Sequence, residues 1–335
     1  MTAAPTPGSR PDAGGPALDR LVGARVALRH RIGERDGRPL LTDAVGVLSD
    51  GGVRDGVPTV IVATRRGDVV VARPAVVAVR EVPPAVRRRA PWPDVARLEN
   101  LCADAWPAVT ERRLGAWRLR AAGGFTGRAN AALAVGDPGV GTAAALALVR
   151  GFAEEHAIAA RVLTPVGSPW SRAVEAEGWV PDAGYLPGPV VSVQVLACDA
   201  VADSPAEPVE VGAGPDTGWW GLVHGGPPDD VARRVLAPGS GREGYAVAGP
   251  PGSPTGAVRL AVVDDHVHVA RLVVVPAARR AGIGTALMAA AARWGLARGA
   301  RWLVMQVSTE NPGGLAFWAR LGATEHHRYH YLVPG

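Results

Sequence analysis

The sequence predicts an α+β protein in which two mixed-sheet halves stand in tandem behind a small all-β barrel. Three observations carry that prediction. Residues 21 to 83 hold only short β-branched runs broken by turn residues, the mark of a small antiparallel module. From residue 91 onward, strand-like and helix-like periods alternate. The alternation also runs twice: Gly139 and Gly141 precede an alanine-rich helix, Gly178 ends the next helix and Tyr185 follows, an arrangement repeated by Gly282, Gly284, Gly322 and Tyr329. The interval from the second glycine to the helix-ending glycine is 37 residues in one half and 38 in the other, which points to duplication.

Residues 1 to 20 are rich in Pro, Gly and Ala and lack the apolar block of a secretory signal, so they read as a disordered tail with a cytoplasmic address. The runs "ARVALRHRI", "AVGVLSD", "PTVIVATR" and "GDVVVARPAVVAVREV" alternate with turn signals at Asp50-Gly51-Gly52 and Gly67-Asp68. Their spacing over 21–85 resembles an SH3-like barrel. No Phe, Tyr or Trp falls between Leu21 and Ala90, which removes the aromatic walls needed for proline-rich peptides, stacked bases or methyl-lysine. The stretch "PPAVRRRAPWP" reads as a linker. In the first half, residues 91–200, helices are expected at Asp94 to Val109, Thr142 to Glu155 and Ser168 to Gly178, with strands at "GAWRLRAA", "ANAALAVG", "AARVLTPVG" and "PVVSVQVLA". The second half, residues 205–335, follows the same order. It has the strand "PVEVGAG", two short helices at "DTGWWGLVHG" and "DDVARRVLA", and a meander of "GYAVAG", "GAVRLAVV" and "HVHVARLVVV". A helix from Gly284 to Arg298, the strand "RWLVMQVS", the helix "GLAFWARLG" and the strand "HHRYHYLV" complete it.

Composition narrows the function classes. All 36 basic residues are arginine, and residues 21 to 90 hold 13 of them against 7 acidic residues, while the whole chain carries +5. A basic module in front of a near-neutral body could touch phosphate backbones, but the missing aromatics and lysines argue against a nucleic-acid partner. Apolar stretches such as Thr142 to Val149 fall short of the roughly 20 residues a membrane helix needs. Cys102 and Cys198 lie far apart without neighbouring histidines, so both read as buried thiols, with neither a metal site nor a disulfide framework.

The chemistry gathers at "ARLVVVPAARRAGIGTAL". A strand ending at Pro276 runs through an Arg-x-x-Gly-x-Gly turn into a helix, which aims several N–H groups outward from the positive end of the helix dipole. Gly282 and Gly284 admit a close anion, and Arg279 and Arg280 add charge. The spacing is not Gly-x-Gly-x-x-Gly and the preceding strands look antiparallel, so a dinucleotide fold fits poorly. With the strand "LVMQVS", Asn311 and the helix ending in "RLG", residues 205 to 335 resemble the GCN5-related N-acetyltransferase superfamily. The whole layout is similar to actinobacterial acetyltransferases labelled histone acetyltransferase. That resemblance implies acetyl-CoA as co-substrate. Its pyrophosphate would lie on the N–H groups of Arg280, Ala281, Gly282, Ile283, Gly284 and Thr285, with Arg279 opening the signature. Backbone groups of Leu272 and Val274 would meet the pantetheine and acetyl, and Asn311 the cofactor arm. The first half puts Gly136 in place of the loop arginine and adds Asp137, whose charge would repel a pyrophosphate; it is expected to be a non-binding partner that shapes the acceptor pocket.

Acetyl transfer to an amine needs the ammonium neutralised, the thioester oxygen held and the leaving thiolate protonated. The resemblance places the base four residues before Leu272, where this chain has His268. Strand alternation puts 268, 270, 272 and 274 on one face, and imidazole titrates near pH 6.5; an ordinary strand histidine is the competing reading, and His266 the reserve. The tyrosine that the resemblance expects as general acid is Trp318 here, which cannot supply a proton. Tyr329 and Tyr331 are the nearest replacements, unless the thiolate takes its proton from water. Of Trp219 and Trp220, one is expected in the core and one on the acceptor wall. These features predict direct acetyl transfer from acetyl-CoA to an amine, small or protein-borne. The alternative is a catalytically weak acetyl-CoA-binding regulator.

Overall fold

The computed structural model describes residues 16–64, 67–82, 90–186, 188–205, 208–250 and 252–335. The chain divides into two compact units, Met1–Arg88 and Arg89–Gly335.

Aspartate-glycine pairs turn the chain in the first unit. Asp36 and Gly37 take φ of 50° and 71°, and Asp55 and Gly56 take 50° and 76°, the double positive φ of a two-residue hairpin turn. They join the strands Arg25–Arg35, Arg38–Arg54 and Val57–Thr64. The turn expected at Asp50-Gly51-Gly52 is instead a bulge inside Arg38–Arg54. Register slips between Asp50 and Val53, Gly52 takes φ 65°, and Asp50 Oδ1 accepts from the Gly52 N–H at 3.2 Å. Gly67–Ala72 and Val76–Glu81 flank the sheet on opposite sides. The expected closed barrel is not found: among the described residues no ladder joins these two outer strands, which are linked by the 3-10 turn Arg73–Ala75. The core gathers Leu28, Leu48, Val60, Val62 and Val71 with Leu18. Leu18 belongs to a short helix, Pro16–Arg20, so the end of the expected tail is ordered by apolar burial; residues 1–15 of that tail and 83–89 of the expected linker lie outside the described residues.

The second unit is built on one twelve-stranded sheet whose order interleaves the two halves. From one edge come Val211–Gly212, Glu243–Ala248, Gly256–Val263, His266–Val274 and Trp302–Ser308, all from the later half. Next lies Val190–Ala197 of the earlier half, then Thr324–Pro334 of the later, then Val162–Pro165, Ala132–Leu133, Trp117–Ala121 and Thr110–Leu114 of the earlier. The halves thus exchange their last strands. Val190–Ala197 pairs with Trp302–Ser308 from Val191↔Ser308 to Ala197↔Trp302, and on its other side with Thr324–Pro334. The end of Thr324–Pro334 reaches on to Val162–Pro165 and Trp179–Pro181. A strand so deep in a sheet is covered on both faces, which is why "VVSVQVLA" is nearly continuous in apolar character.

Helices cover the sheet where the periodicity places them. Thr142–Glu155 matches its expected bounds. The first helix runs over Trp92–Ala105 rather than to Val109, because Trp106 leaves helical geometry (φ −127°, ψ 75°) ahead of Pro107. Ile283–Leu296 buries every residue from Ala286 to Ala292, and its alanines let it lie close to Val258, Leu260, Leu303 and Met305. Among the described residues no helix is long and apolar enough to cross a membrane.

Strand exchange predicts that the two halves lose structure together. Val193 is completely buried in the inserted strand, and Val193→Asp buries an unpaired carboxylate there, at a cost of several kcal/mol. Amide exchange should accelerate in 162–165, 302–308 and 324–334 as one group; acceleration confined to one half would contradict the exchange.

Candidate functional site

The site begins where two parallel strands part. His266–Val274 pairs with Trp302–Ser308 from His266↔Trp302 to Val269↔Met305, and no further. Beyond that point Trp302–Ser308 stays with Val190–Ala197 and His266–Val274 stays with Gly256–Val263. Residues 270–274 are left with one backbone edge turned into a gap.

A bulge shapes that edge. Between Ala270, opposite Arg259, and Val273, opposite Ala257, the strand gains one residue on its partner, and Arg271 adopts φ 54°. The extra residue inverts the alternation. Ala270 packs with Trp106 and Trp219 on one face of the sheet, while Leu272 packs against the core of Leu287 and Met288 on the other. The expectation that 268, 270, 272 and 274 share a face therefore fails beyond the bulge.

The turn after the strand has the features of an anion cradle. Arg280 and Gly282 take φ of 64° and 83°, and nothing lies within 4 Å of where a Gly282 side chain would start. The first bonded amide of the helix is Ala286, to Gly282 O at 3.0 Å. The amides before it, from Arg280 through Thr285 and including Ala281, Ile283 and Gly284, have no intrahelical acceptor, as at any helix start. Gly284 serves packing instead, since a Cβ there would stand 3.1 Å from the Phe317 ring. Arg279 Nε donates to Val274 O at 3.3 Å, which occupies one of the two expected pantetheine contacts. Asn311 Oδ1 caps its own helix by accepting from Gly314 N at 2.9 Å.

In the first half the equivalent loop satisfies itself. Asp137 Oδ1 accepts from Gly139 N at 2.8 Å and Asp137 O from Ala116 N at 2.7 Å.

A cavity of about 400 Å³ opens at the strand gap, lined by Phe125, Thr126, Gly127, Arg128, Tyr185, Leu186 and Val191 of the first half and by Arg271, Gln306, Ser308, Tyr329 and Tyr331 of the second. Asn130 carries the first-half wall. Its Oδ1 accepts from Ala122 N and Gly124 N at 2.7 and 2.9 Å, and its Nδ2 donates to Phe125 O and Thr126 O at 2.8 and 2.7 Å.

Expected catalytic residues fare differently. Tyr329 and Tyr331 both reach the cavity, and burial pushes their phenols above the ordinary range, so they stay neutral. His268 is completely buried and is absent from the lining. Its Nε2 faces Gln306 Oε1 at 3.3 Å, and its Nδ1 has no partner. Burial, then the charges of Arg128 and Arg259, hold its pKa well below the ordinary histidine value. His266 lies at the paired end of the strand, its Nδ1 2.8 Å from Asp265 Oδ1. Trp318 is core, and so are both Trp219 and Trp220; Trp219 is completely buried, with its Nε1 donating to Val258 O at 3.0 Å. The residues that sequence reasoning missed are Arg128, Arg271 and Gln306. Arg271 had a signal, a lone charge inside the apolar run "HVHVARLVVV".

A mixed sheet whose two parallel strands splay beside an Arg-x-x-Gly-x-Gly helix start defines an acetyltransferase of the GCN5-related type. The chain belongs to the family described as "Probable histone acetyltransferase Rv0428c C-terminal", whose model matches residues 93–332. It is 31% identical over 327 residues to "Probable histone acetyltransferase Rv0428c" of Mycobacterium tuberculosis, covering 93% of this chain and 95% of that protein. The GCN5-related N-acetyltransferase from Kribbella flavida, 14% identical, shares the fold with a TM-score of 0.53 over 72% of this chain and 95% of its own.

Four histidines in the second unit, His266, His268, His326 and His330, have pKa values lowered mainly by burial, that of His326 to about 4. A lowered folded pKa means that the unfolded chain binds more protons below its ordinary value near 6.5, so stability is lost as pH falls from there toward 4. Denaturant midpoints measured between pH 7.5 and 4.5 should fall steadily below about 6.5, and His268→Gln should flatten part of that slope.

Proposed function

We propose that the chain moves the acetyl group of acetyl-CoA directly to an amine held in the cavity at the strand gap. The observation that carries this reading is the succession of three features along one stretch of chain: a cavity that Arg271 lines, an open strand edge at residues 270–274, and a helix start with a left-handed Gly282 and open space above it. The residues present suit a pyrophosphate. Amides of Arg280 to Thr285 would hold it, with Arg279 and Arg280 nearby, and the edge amides around Leu272 would meet the pantetheine. Bound acetyl-CoA supplies an activated acetyl group whose C–S bond is exchanged for an amide C–N bond. The first half, with Asp137 taking its own loop amide, is read as a wall rather than a second acetyl-CoA site. The N-terminal sheet, with the strand spacing of an SH3-like barrel, is read as a structural or docking module.

Proton handling follows from the surroundings. The acceptor ammonium must shed one proton before attack, and a second proton leaves the nitrogen as the amide forms and ends on the CoA sulfur. His268 is a poor holder of the first, being buried among arginines and away from the cavity, so that proton goes to solvent. Tyr329 and Tyr331 remain phenols at any working pH and suit hydrogen bonding to the acceptor or sulfur better than proton delivery. An acetyl-CoA-binding regulator of low turnover is the second reading, favoured by Trp318 in the core where a tyrosine was expected.

Calorimetric titration with acetyl-CoA should give one site per chain, weakened tenfold or more by Gly282→Val, which places a branched side chain at φ 83°. No binding to the wild type would remove the proposal. The rate at limiting acceptor should rise with pH toward the acceptor's own ammonium pKa, without a step near 6.5; such a step, abolished in His268→Gln, would restore His268 as base.

A further inference from the structure

The charge pattern of the cavity restricts what can enter it. Arg128 and Arg271 stand in its wall beside Phe125, Tyr185, Tyr329 and Tyr331, and the lining contains no Asp or Glu. A third guanidinium, that of Arg259, is completely buried close by. The three crowd one indole, with Cζ atoms 4.5, 5.1 and 5.9 Å from the Trp106 ring for Arg128, Arg259 and Arg271. Arg259 spends Nε and Nη1 on the carbonyls of Leu236 and Ala105, and Arg128 reaches the amide oxygen of Gln306. Among the described residues, neither Arg128 nor Arg271 has a carboxylate partner. Arg118 and Arg161 of the same unit do, with Asp104 and Glu111 and with Asp182, whereas the buried Arg120 donates to the Ala131 carbonyl.

Like charges held together without a counter-ion are costly to keep. Burial and the neighbouring Arg128 accordingly draw Arg271 below its ordinary value. Arg271 also sits in the left-handed region, strained for a residue with a side chain, and the bulge that imposes this brings it to the cavity. A polyamine or a lysine-rich tail would add positive charge to this wall; an anion would offset what is already there.

We propose that the acceptor is an amine that also carries a carboxylate, gripped by Arg271 and Arg128, with its carbon skeleton against the tyrosines. This rests on the acetyl-transfer reading. Guanidinium forks match carboxylates with paired hydrogen bonds, and a cavity of about 400 Å³ is of small-molecule size.

The test is a panel of amino acids, each set against the amine left by its decarboxylation, such as phenylalanine against 2-phenylethylamine, with a polybasic lysine peptide as the cationic comparison. CoA thiol release is followed at saturating acetyl-CoA. The carboxylate-bearing member should be favoured in kcat/KM by about 10- to 100-fold, the scale of a lost charged hydrogen bond. Arg271→Gln should erase that preference, lowering kcat/KM for the amino acids far more than for their decarboxylated amines. Equal or better use of the decarboxylated amines or of the peptide would overturn the proposal. Direct titration of the same pairs into the protein without acetyl-CoA separates this from the parent reading. Tighter binding of amino acids supports the carboxylate grip even if no acetyl is transferred, and equal or absent binding of both members sinks it.

Discussion

A strand wedged between two others cannot leave without unpairing both, and Val190–Ala197 is such a strand. It separates Trp302–Ser308 from Thr324–Pro334, and its Val191 lines the cavity at the strand gap. Trp302–Ser308 keeps its full register with Val190–Ala197 past Met305, where its pairing with His266–Val274 ends. The gap is bounded on both sides by strands held in antiparallel ladders. The same insertion carries Tyr329 and Tyr331 across to the first half, so a single cavity draws its walls from both.

Within that frame, polar groups are few and each has a defined job. Asn130 satisfies four backbone groups and so fixes the loop that presents Phe125 and Arg128. Gln306 stands between Arg128 and His268 with one carbonyl oxygen. A charged imidazole there would face two arginines, so the histidine is held neutral and its ring serves the packing around Trp106. The charge lining the gap is thus guanidinium rather than imidazole.

The legible parts of this protein are those governed by local spacing. The alanine-rich helix after Gly282, the helix over Thr142–Glu155 and the strand Trp302–Ser308 were readable because each is set by nearby side-chain period and turn chemistry. Three things were not. Asp50-Gly51-Gly52 has turn composition, yet the hairpin turns at Asp55-Gly56, because a bulge and a turn use the same residues and only cross-strand register separates them. The inversion at Arg271 is equally silent, since a bulge adds no residue type of its own. Exchange of final strands is a long-range pairing between segments of matching apolar pattern, and nothing in either segment names its neighbour. The loss of the shared face with Leu272 traces to the second of these.

The interleaved sheet also sets a timetable for the nascent chain. Val190–Ala197 emerges from the ribosome well before Trp302–Ser308 and Thr324–Pro334, its partners on either side. At about 5–20 residues per second, synthesis of the intervening chain takes on the order of ten seconds, during which an apolar strand has two unpaired edges. Unpaired apolar edges are templates for wrong pairing. Such a chain has to be sheltered, or kept loosely collapsed, until its last strand arrives, and the two halves then become native in one step.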